Sequence, residues 1–454
     1  MRQGDLTQGP VTVTMLRFAV PMILGNLLQQ CYNVADTLIV GRFLGPNALA
    51  AVGSSFTLMT FLTSILLGLC MGSGAVFSIR FGQKDETGLK EAIFTSFVLI
   101  AAVAAVLNVA AFAGTDAILT FLQVPDEVRG PMREYLTVIF CGIVAVFFYN
   151  YFASLVRAVG NSIAPLAFLA VSAVLNIVLD IWFVLGLSRG VAGAAWATVI
   201  AQYISGAGMA AYTLIRCPEL HLGRQHCRLR MARVREIASF SVLTCVQQSV
   251  MNLGILMVQG LVNSFGPSVM AAFAAAVKID AFAYAPAQDF GNAFSTFIAQ
   301  NYGARKSMRI RNGLKSAVLV SGIFCIAVSV FVWIFARELM TMFVSAKETD
   351  ILAYGVQYLR IEGAFYCGIG WLFLLYGLYR ALGRPGASVV LTVISLGTRV
   401  ALAYMLSAVP ALGVVGIWWS VPIGWALADA AGLVYYAVNR IRLLPPLPGS
   451  GETT

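Results

Sequence analysis

Charge is what this sequence has least of. Only 11% of its 454 residues are charged, against 59% that are hydrophobic. A water-soluble domain carries about 25% charged residues, because its surface must face water. The mean hydropathy here is +0.83, so lipid must solvate much of the surface. Histidine is also scarce: the chain has two, and both lie in one basic loop. An intramembrane enzyme would need a nucleophile–base pair or a metal motif, and two histidines in a loop do not supply one, so no enzymatic activity is expected. A G-x4-G-K-[ST] phosphate loop is absent, which argues against ATP use. Six of the eight cysteines lie inside apolar segments, which argues against a disulfide framework. The remaining two flank the histidines as Cys217, His221, His226 and Cys227. That C-x3-H-x4-H-C order is not a usual structural-zinc spacing, and no metal is expected there.

Long apolar runs are what the chain has in abundance. Broken by Gly, Pro and charge, they predict spans at 15–41, 50–79, 91–113, 134–156, 163–187 and 193–215. A second set follows at 237–263, 270–300, 315–336, 356–379, 387–407 and 412–438. The stretch before the first span is short and polar, and that span is long enough to stay in the bilayer, so no cleavable leader is expected. Nearly continuous hydrophobicity excludes the alternation of an outer-membrane barrel, and only helices then satisfy the backbone in lipid. Basic residues set the orientation. With the amino terminus inside, the inner loops hold Arg80, Lys84 and Lys90, the arginines from Arg216 to Arg235, and the group from Arg305 to Lys315. The outer side holds only Arg42, Arg129, Arg133, Arg189, Arg337 and Lys347. Both termini are therefore predicted to be cytoplasmic. The net charge of +10 reflects topology, not an affinity for nucleic acid.

The sequence also repeats itself. "FLGPNALAA" at 43–51 recurs as "SFGPSVMAA" at 264–272, and "SIRFGQKD" at 78–85 as "AQNYGARK" at 299–306. "EYL" at 134–136 then matches "QYL" at 357–359, "RAVGN" at 157–161 matches "RALGR" at 380–384, and "GVAGAAWA" at 190–197 matches "GVVGIWWS" at 413–420. The offset drifts from 221 to 223 residues. The expected fold is an all-α membrane protein of twelve transmembrane helices. They form two six-helix bundles, 1–215 and 237–443, joined by a basic cytoplasmic linker at 216–236 and followed by a tail at 444–454. An even number of spans per copy relates the bundles by a pseudo-two-fold axis along the membrane normal, a plan suited to alternating access.

At the level of motifs the chain resembles the multidrug and toxic compound extrusion (MATE) family, and within it the DinF-like bacterial branch. The resemblance spans essentially the whole chain. It rests on P-x14-D-x3-VGRFLG-x3-LAA from Pro21 to Ala51, "RAVGNSIAP" at 157–165, "LNIVLDIWFVLG" at 175–186 and "GVAGAAWAT" at 190–198. In the second half it rests on "AAFAAAVKIDAFAYAPAQDFGNAFSTFIAQNYGA" at 271–304. The major facilitator group shares the twelve-span plan, but its G-x3-D-R-x-G-R-R-like loop is missing from "RFGQKDETGLKEA". The resemblance implies secondary active export of organic, often cationic, compounds in exchange for protons or sodium. A flippase for a lipid-linked precursor is the alternative. Expected partners are small organic, cationic or amphiphilic substrates and membrane lipid. No nucleic acid is expected, and the chain is expected to be a monomer in a bacterial-type cytoplasmic membrane.

An ionised side chain at mid-bilayer costs about 2.5–3.5 kcal/mol or more, so each one in a span needs a partner, water or a task. The first half holds Asp36 and Asp180, with Asn176 one helical turn before Asp180 on the same face. In the resemblance, Asp36, Asn176, Asp180 and Thr198 match a cation site of the amino-terminal lobe, and bending near Pro21 accompanies cation binding. Two carboxylates in a low-dielectric site repel unless they share a proton, or a sodium ion with Asn and Thr oxygens completing the shell. Asp36 aligns near Met257 and Asp180 with Ala403, so the second copy lacks this chemistry. It holds instead Lys278, Asp280, Asp289, Glu362, Arg399 and Asp429. Lys278 and Asp280 should face different sides of their helix, and a Glu362–Arg399 salt bridge is expected, or Lys278 with an acid across the cleft. Gln30 and Gln248, with Lys278, Asp289, Glu362 and Arg399, are the candidates for a cargo path or a charge network. A further carboxylate cation site in this half stays open.

Overall fold

A computed structural model describes residues 4–121, 124 and 126–444, so all but the first residue of the expected tail lies outside the described residues. Every regular element among them is helical. In the first copy the helices are α1 (Val11–Leu44), α2 (Pro46–Gln83), α3 (Glu86–Ala113), α4 (Thr115–Phe121), α5 (Asp126–Phe140), α6 (Ile143–Ala158), α7 (Ile163–Asp180) and α8 (Gly190–Arg216). In the second they are α9 (Met231–Asn263), α10 (Pro267–Gly303), α11 (Ser307–Ile334), α12 (Ala336–Thr341), α13 (Thr349–Gly363), α14 (Tyr366–Ala381), α15 (Pro385–Ser407) and α16 (Val414–Leu443). Nine helices are long and apolar enough to cross a membrane, and two bent pairs, α5–α6 and α13–α14, bring the number to eleven among the described residues. The remaining stretch of span length is α8, of 27 residues.

The expected fourth and tenth spans are not single rods. The axes of α5 and α6 differ by 43° and those of α13 and α14 by 51°. At the first break, Cys141 and Gly142 donate to the carbonyls three residues back, Val138 and Ile139. At the second, Phe365 donates to Glu362 in the same way. Tightening a turn from i−4 to i−3 bonding redirects a helix without leaving donors unpaired. The break recurs at the repeat offset: α5 begins at Asp126 and α13 at Thr349, 223 residues on. Left-handed backbone recurs as well. Gly45 (φ 88°) and Gly266 (φ 100°) each precede a helix-opening proline, and Lys84 (φ 58°) and Arg305 (φ 55°) each follow a second span. The duplication therefore extends to individual torsion angles.

The chain divides into two compact units, Met1–Asp5 with Leu24–Cys245, and Leu6–Ile23 with Val246–Thr454. The divisions fall inside helices α1 and α9, not in the basic segment 216–236. In the first unit α2 packs on α5 and α6, and α7 on α8; in the second α10 packs on α13 and α14, and α15 on α16. Each unit also anchors the chain that leads into a first span. In the first, Arg80 pairs with Asp85 (3.2 Å) and Glu236 (2.6 Å), while the buried Glu91 pairs with Arg230 (2.9 Å) and Arg233 (3.2 Å). The end of the expected linker is thus the opening turn of α9, held by ion pairs. In the second unit Arg309 donates to the carbonyls of Leu6, Gln8 and Gly9, and Lys306 to that of Thr7.

Close helix contact in the first unit depends on small residues, as lipid-solvated bundles require. A Cβ on Gly72 of α2 would lie 2.5 Å from the Phe240 carbonyl oxygen and 2.6 Å from Ser241 Cα, both backbone atoms of α9. One on Gly53 would meet nothing within 4 Å. Gly72→Ala should therefore destabilise the purified protein by about 1–3 kcal/mol, seen as a lowered Tm, while Gly53→Ala leaves Tm unchanged or raises it. Equal melting of the two variants would show that this contact is not tight.

Candidate functional site

The first unit brings Asp36, Asn176, Asp180 and Thr198 together from three helices. Asn176 and Asp180 sit one turn apart on α7 and are 2% and 0% exposed. The Asn176 amide donates to Thr198 Oγ1 of α8 at 3.2 Å, and Thr198 in turn donates to the Ala194 carbonyl. Asp36 of α1 lies within hydrogen-bonding reach of Asp180. Four acceptor atoms here are buried without a donor: Asp36 Oδ1, Asn176 Oδ1, and both Oδ1 and Oδ2 of Asp180. An acceptor left alone in a low-dielectric interior costs about 1–3 kcal/mol, more if charged. The oxygen-only donor set, with up to two negative charges, suits a proton or a hard cation.

Three features of this site were not anticipated. Tyr32 sits one turn before Asp36 on α1, and its hydroxyl lies near Asp36, Asp180 and Gln29. Tyr135 of α5 is buried in the same unit, close enough to feel the charge of the two carboxyls. The spacing of Tyr32 and Asp36 was a legible signal, because residues four apart share a helical face; Tyr135 had none. The third feature is in the backbone. α7 ends at Asp180 and gives way to a π-helical turn over Ile181–Gly186, with Leu187 N bonded to the Trp182 carbonyl at 2.9 Å. Such turns concentrate at functional sites. At the equivalent place in the second copy α15 runs on to Ser407 without a π turn, and Ala403 stands where Asp180 would be.

The second unit has a different buried cluster. Asp280 of α10 is 2% exposed and accepts from Tyr358 (2.7 Å) and Tyr366. Glu362, one turn from each tyrosine, and Arg399 of α15 lie beside it. Lys278 is exposed, on another side of α10 from Asp280, as its spacing predicted. The expected Glu362–Arg399 salt bridge does not form: among the described residues the two do not approach within ion-pair distance, and Arg399 Nε has no acceptor. The two tyrosine hydroxyls occupy Asp280, so Arg399 acts as a nearby counter-charge and not as a direct partner. Gln248 is buried, while Gln30 and Asp289 are half-buried.

The family model MatE matches residues 21–182 and again 242–405, once for each copy of the repeat. The chain belongs to the MATE family. It is 30% identical over 445 residues to Probable multidrug resistance protein YpnP of Bacillus subtilis, covering 97% of this chain and 98% of that one. It is 22% identical to Multidrug export protein MepA of Staphylococcus aureus, with 96% of each chain covered. Among solved structures, a MATE in complex with MaL6 superposes with a TM-score of 0.91 at 22% identity, covering 98% of this chain and 99% of that one. An outward-facing multidrug resistance MATE transporter of the MOP superfamily gives the same TM-score and identity. The likeness shows an all-α, multi-spanning fold matching the two-lobe fold of those chains, and membership of the MATE family makes the chain a transporter and not an enzyme.

Thr198→Val keeps the side-chain shape but removes the hydroxyl that receives the Asn176 amide. It should destabilise the purified protein by about 1 kcal/mol, measured by thermal unfolding, and Thr198→Ser should restore most of the loss. If valine melts like threonine, the Asn176–Thr198 bond contributes nothing to the site.

Proposed function

We propose that this chain exports organic, often cationic, compounds and that the Asp36–Asp180 pair couples export to inward movement of a proton or sodium ion. As a MATE-family member it is a secondary active multidrug efflux transporter with a multi-pass helical fold. The observation that supports the coupling role is the set of four buried, donorless acceptor oxygens on α1 and α7. Two ionised carboxylates in reach of one another cannot both stay without a cation. A proton held between them supplies one donor. A sodium ion would instead draw on the oxygens of Asp36, Asn176, Asp180 and Thr198.

Loading that cation turns repulsion between α1 and the end of α7 into attraction. Pro21 lacks the N–H that would reach the Arg17 carbonyl, so α1 is weakened there, fifteen residues before Asp36. The division between the units falls two residues further on, at Ile23. We place the bending that follows cation binding there. The Gln30, Gln248, Lys278, Asp289, Glu362 and Arg399 side chains are proposed to border the cargo path or tune its charge. The names of YpnP and MepA support a drug-like cargo class. We further propose the DinF-like branch, a monomer surrounded by lipid, bundles at 1–215 and 237–443, and a bacterial-type cytoplasmic membrane with both termini inside. The arginine-rich segment near Arg224–Arg235 supports that orientation.

The test is efflux of a fluorescent cationic dye from cells expressing the parent, Asp36→Asn or Asp180→Asn, at varied pH and sodium. Both variants should fall to the level of cells lacking the transporter. Parent efflux should follow either the proton or the sodium gradient. Variants that export as well as the parent would end the coupling assignment. Movement of a labelled lipid without any dye would replace export of drugs by a flippase.

A further inference from the structure

Arg380, in the last turn of α14, is 5% exposed and has no acid of its own. It enters none of the ion pairs among the described residues. An arginine stays protonated in any protein environment, so it cannot escape burial by becoming neutral. Its Nε donates to Ser295 Oγ at 3.3 Å and its Nη2 to Asn292 Oδ1 at 3.0 Å, both on α10. Both acceptors are neutral, and Nη1 has no acceptor among the described residues. Ser295 accepts and so keeps its own hydroxyl hydrogen, while Asn292, with its carbonyl toward Arg380, keeps its amide hydrogens. Among the described residues neither side chain donates to another group. The cluster thus has surplus donors around an uncompensated positive charge, the reverse of the Asp36–Asp180 site. Asp289, one turn before Asn292 on the same helix, makes no ion pair with Arg380.

The packing holds the arginine where it is. A Cβ on Gly377, one turn before Arg380, would lie 2.6 Å from the Gly291 carbonyl oxygen, and one on Gly291 would lie 2.9 Å from that of Phe373. α10 and α14 therefore touch backbone to backbone beside the cluster. The end of α14 offers Arg380 only the partial negative charge of a helix terminus. The first copy keeps the arginine, as Arg157, but has Met71 and Gly74 where Asn292 and Ser295 stand. Arg157 is only half-buried. The three polar side chains are thus a feature of the second half and not a by-product of the repeated motif. We propose that Arg380, Ser295 and Asn292 bind a small monovalent inorganic anion of the chloride class. The ion takes the hydrogens that these side chains give to nothing else and neutralises the buried charge. Ser295 is 4% exposed and Asn292 half-buried, so the way in lies on the Asn292 side. That enclosure suits a bare ion and excludes a phospholipid headgroup. The ion is a resident of the second bundle, independent of the Asp36–Asp180 reading.

The experiment follows chloride binding to the purified full chain in detergent by chloride NMR linewidth, and Tm by thermal unfolding. Chloride is exchanged for gluconate at constant sodium and pH. The parent should broaden the chloride line saturably, with bromide displacing it, and should melt higher in chloride, because a ligand of the folded state stabilises it. Ser295→Ala should weaken the chloride midpoint about tenfold, the effect of losing one hydrogen bond to an ion. Arg380→Gln should abolish the response, and Arg157→Gln should leave it intact. The response should also persist in Asp180→Asn, which separates this outcome from that of the first-half site. A parent with the same linewidth and Tm in chloride and gluconate would overturn the proposal. So would a Ser295→Ala midpoint equal to that of the parent, a result that reads independently of how well Arg380→Gln folds. A Tm raised by anionic phospholipid but indifferent to chloride would overturn it in favour of a lipid site.

Discussion

A carboxylate enclosed by apolar helices must find a donor, a cation or a proton, because desolvation costs more than packing can return. That constraint organises the first half around Asp180. It is fully buried, neither of its oxygens has a donor, and the other carboxyl within reach is Asp36. Two acidic side chains cannot satisfy each other unless something positive joins them. The Asn176–Thr198 bond and the π turn after Asp180 surround the pair. Under the proposed function, a cation joining the pair would release the free energy that its burial stores.

The backbone is duplicated with fidelity and the chemistry is not. Helix starts, the bends of 43° and 51°, and the left-handed residues at Gly45, Gly266, Lys84 and Arg305 all recur at the repeat offset. The polar interiors differ in kind. The first unit gathers four acceptors without donors around Asp180, while in the second Asp280 is supplied by two tyrosines. Similar scaffolds thus carry buried polar clusters of different composition.

Much of this was legible in the sequence. The apolar runs carry the helix order, the repeat motifs carry the duplication with its drift from 221 to 223 residues, and the spacing of Asn176 and Asp180 puts both on one helical face. What stayed hidden depends on tertiary contact or on small backbone changes. An apolar run does not announce a turn tightened at Cys141–Gly142 or a π turn at Ile181–Gly186, because the hydrophobic pattern continues through both. The expected Glu362–Arg399 pair does not form, and the acid that the tyrosines of α13 and α14 bond is Asp280, a choice of tertiary contact that sequence spacing does not show. The ion pairs around Glu91 were missed for a similar reason. A basic segment reads as a solvated loop until its partner helix is in place.

The central proposal is that a cation held at the Asp36–Asp180 pair is exchanged for cargo. The most direct measurement is ion release on cargo binding. A cationic dye is added to purified protein in weakly buffered detergent solution, while proton and sodium activities are followed together. The parent should release a proton or a sodium ion as dye binds, and Asp180→Asn should release fewer per dye bound. Equal release from parent and Asp180→Asn, at equal dye occupancy, would contradict the account.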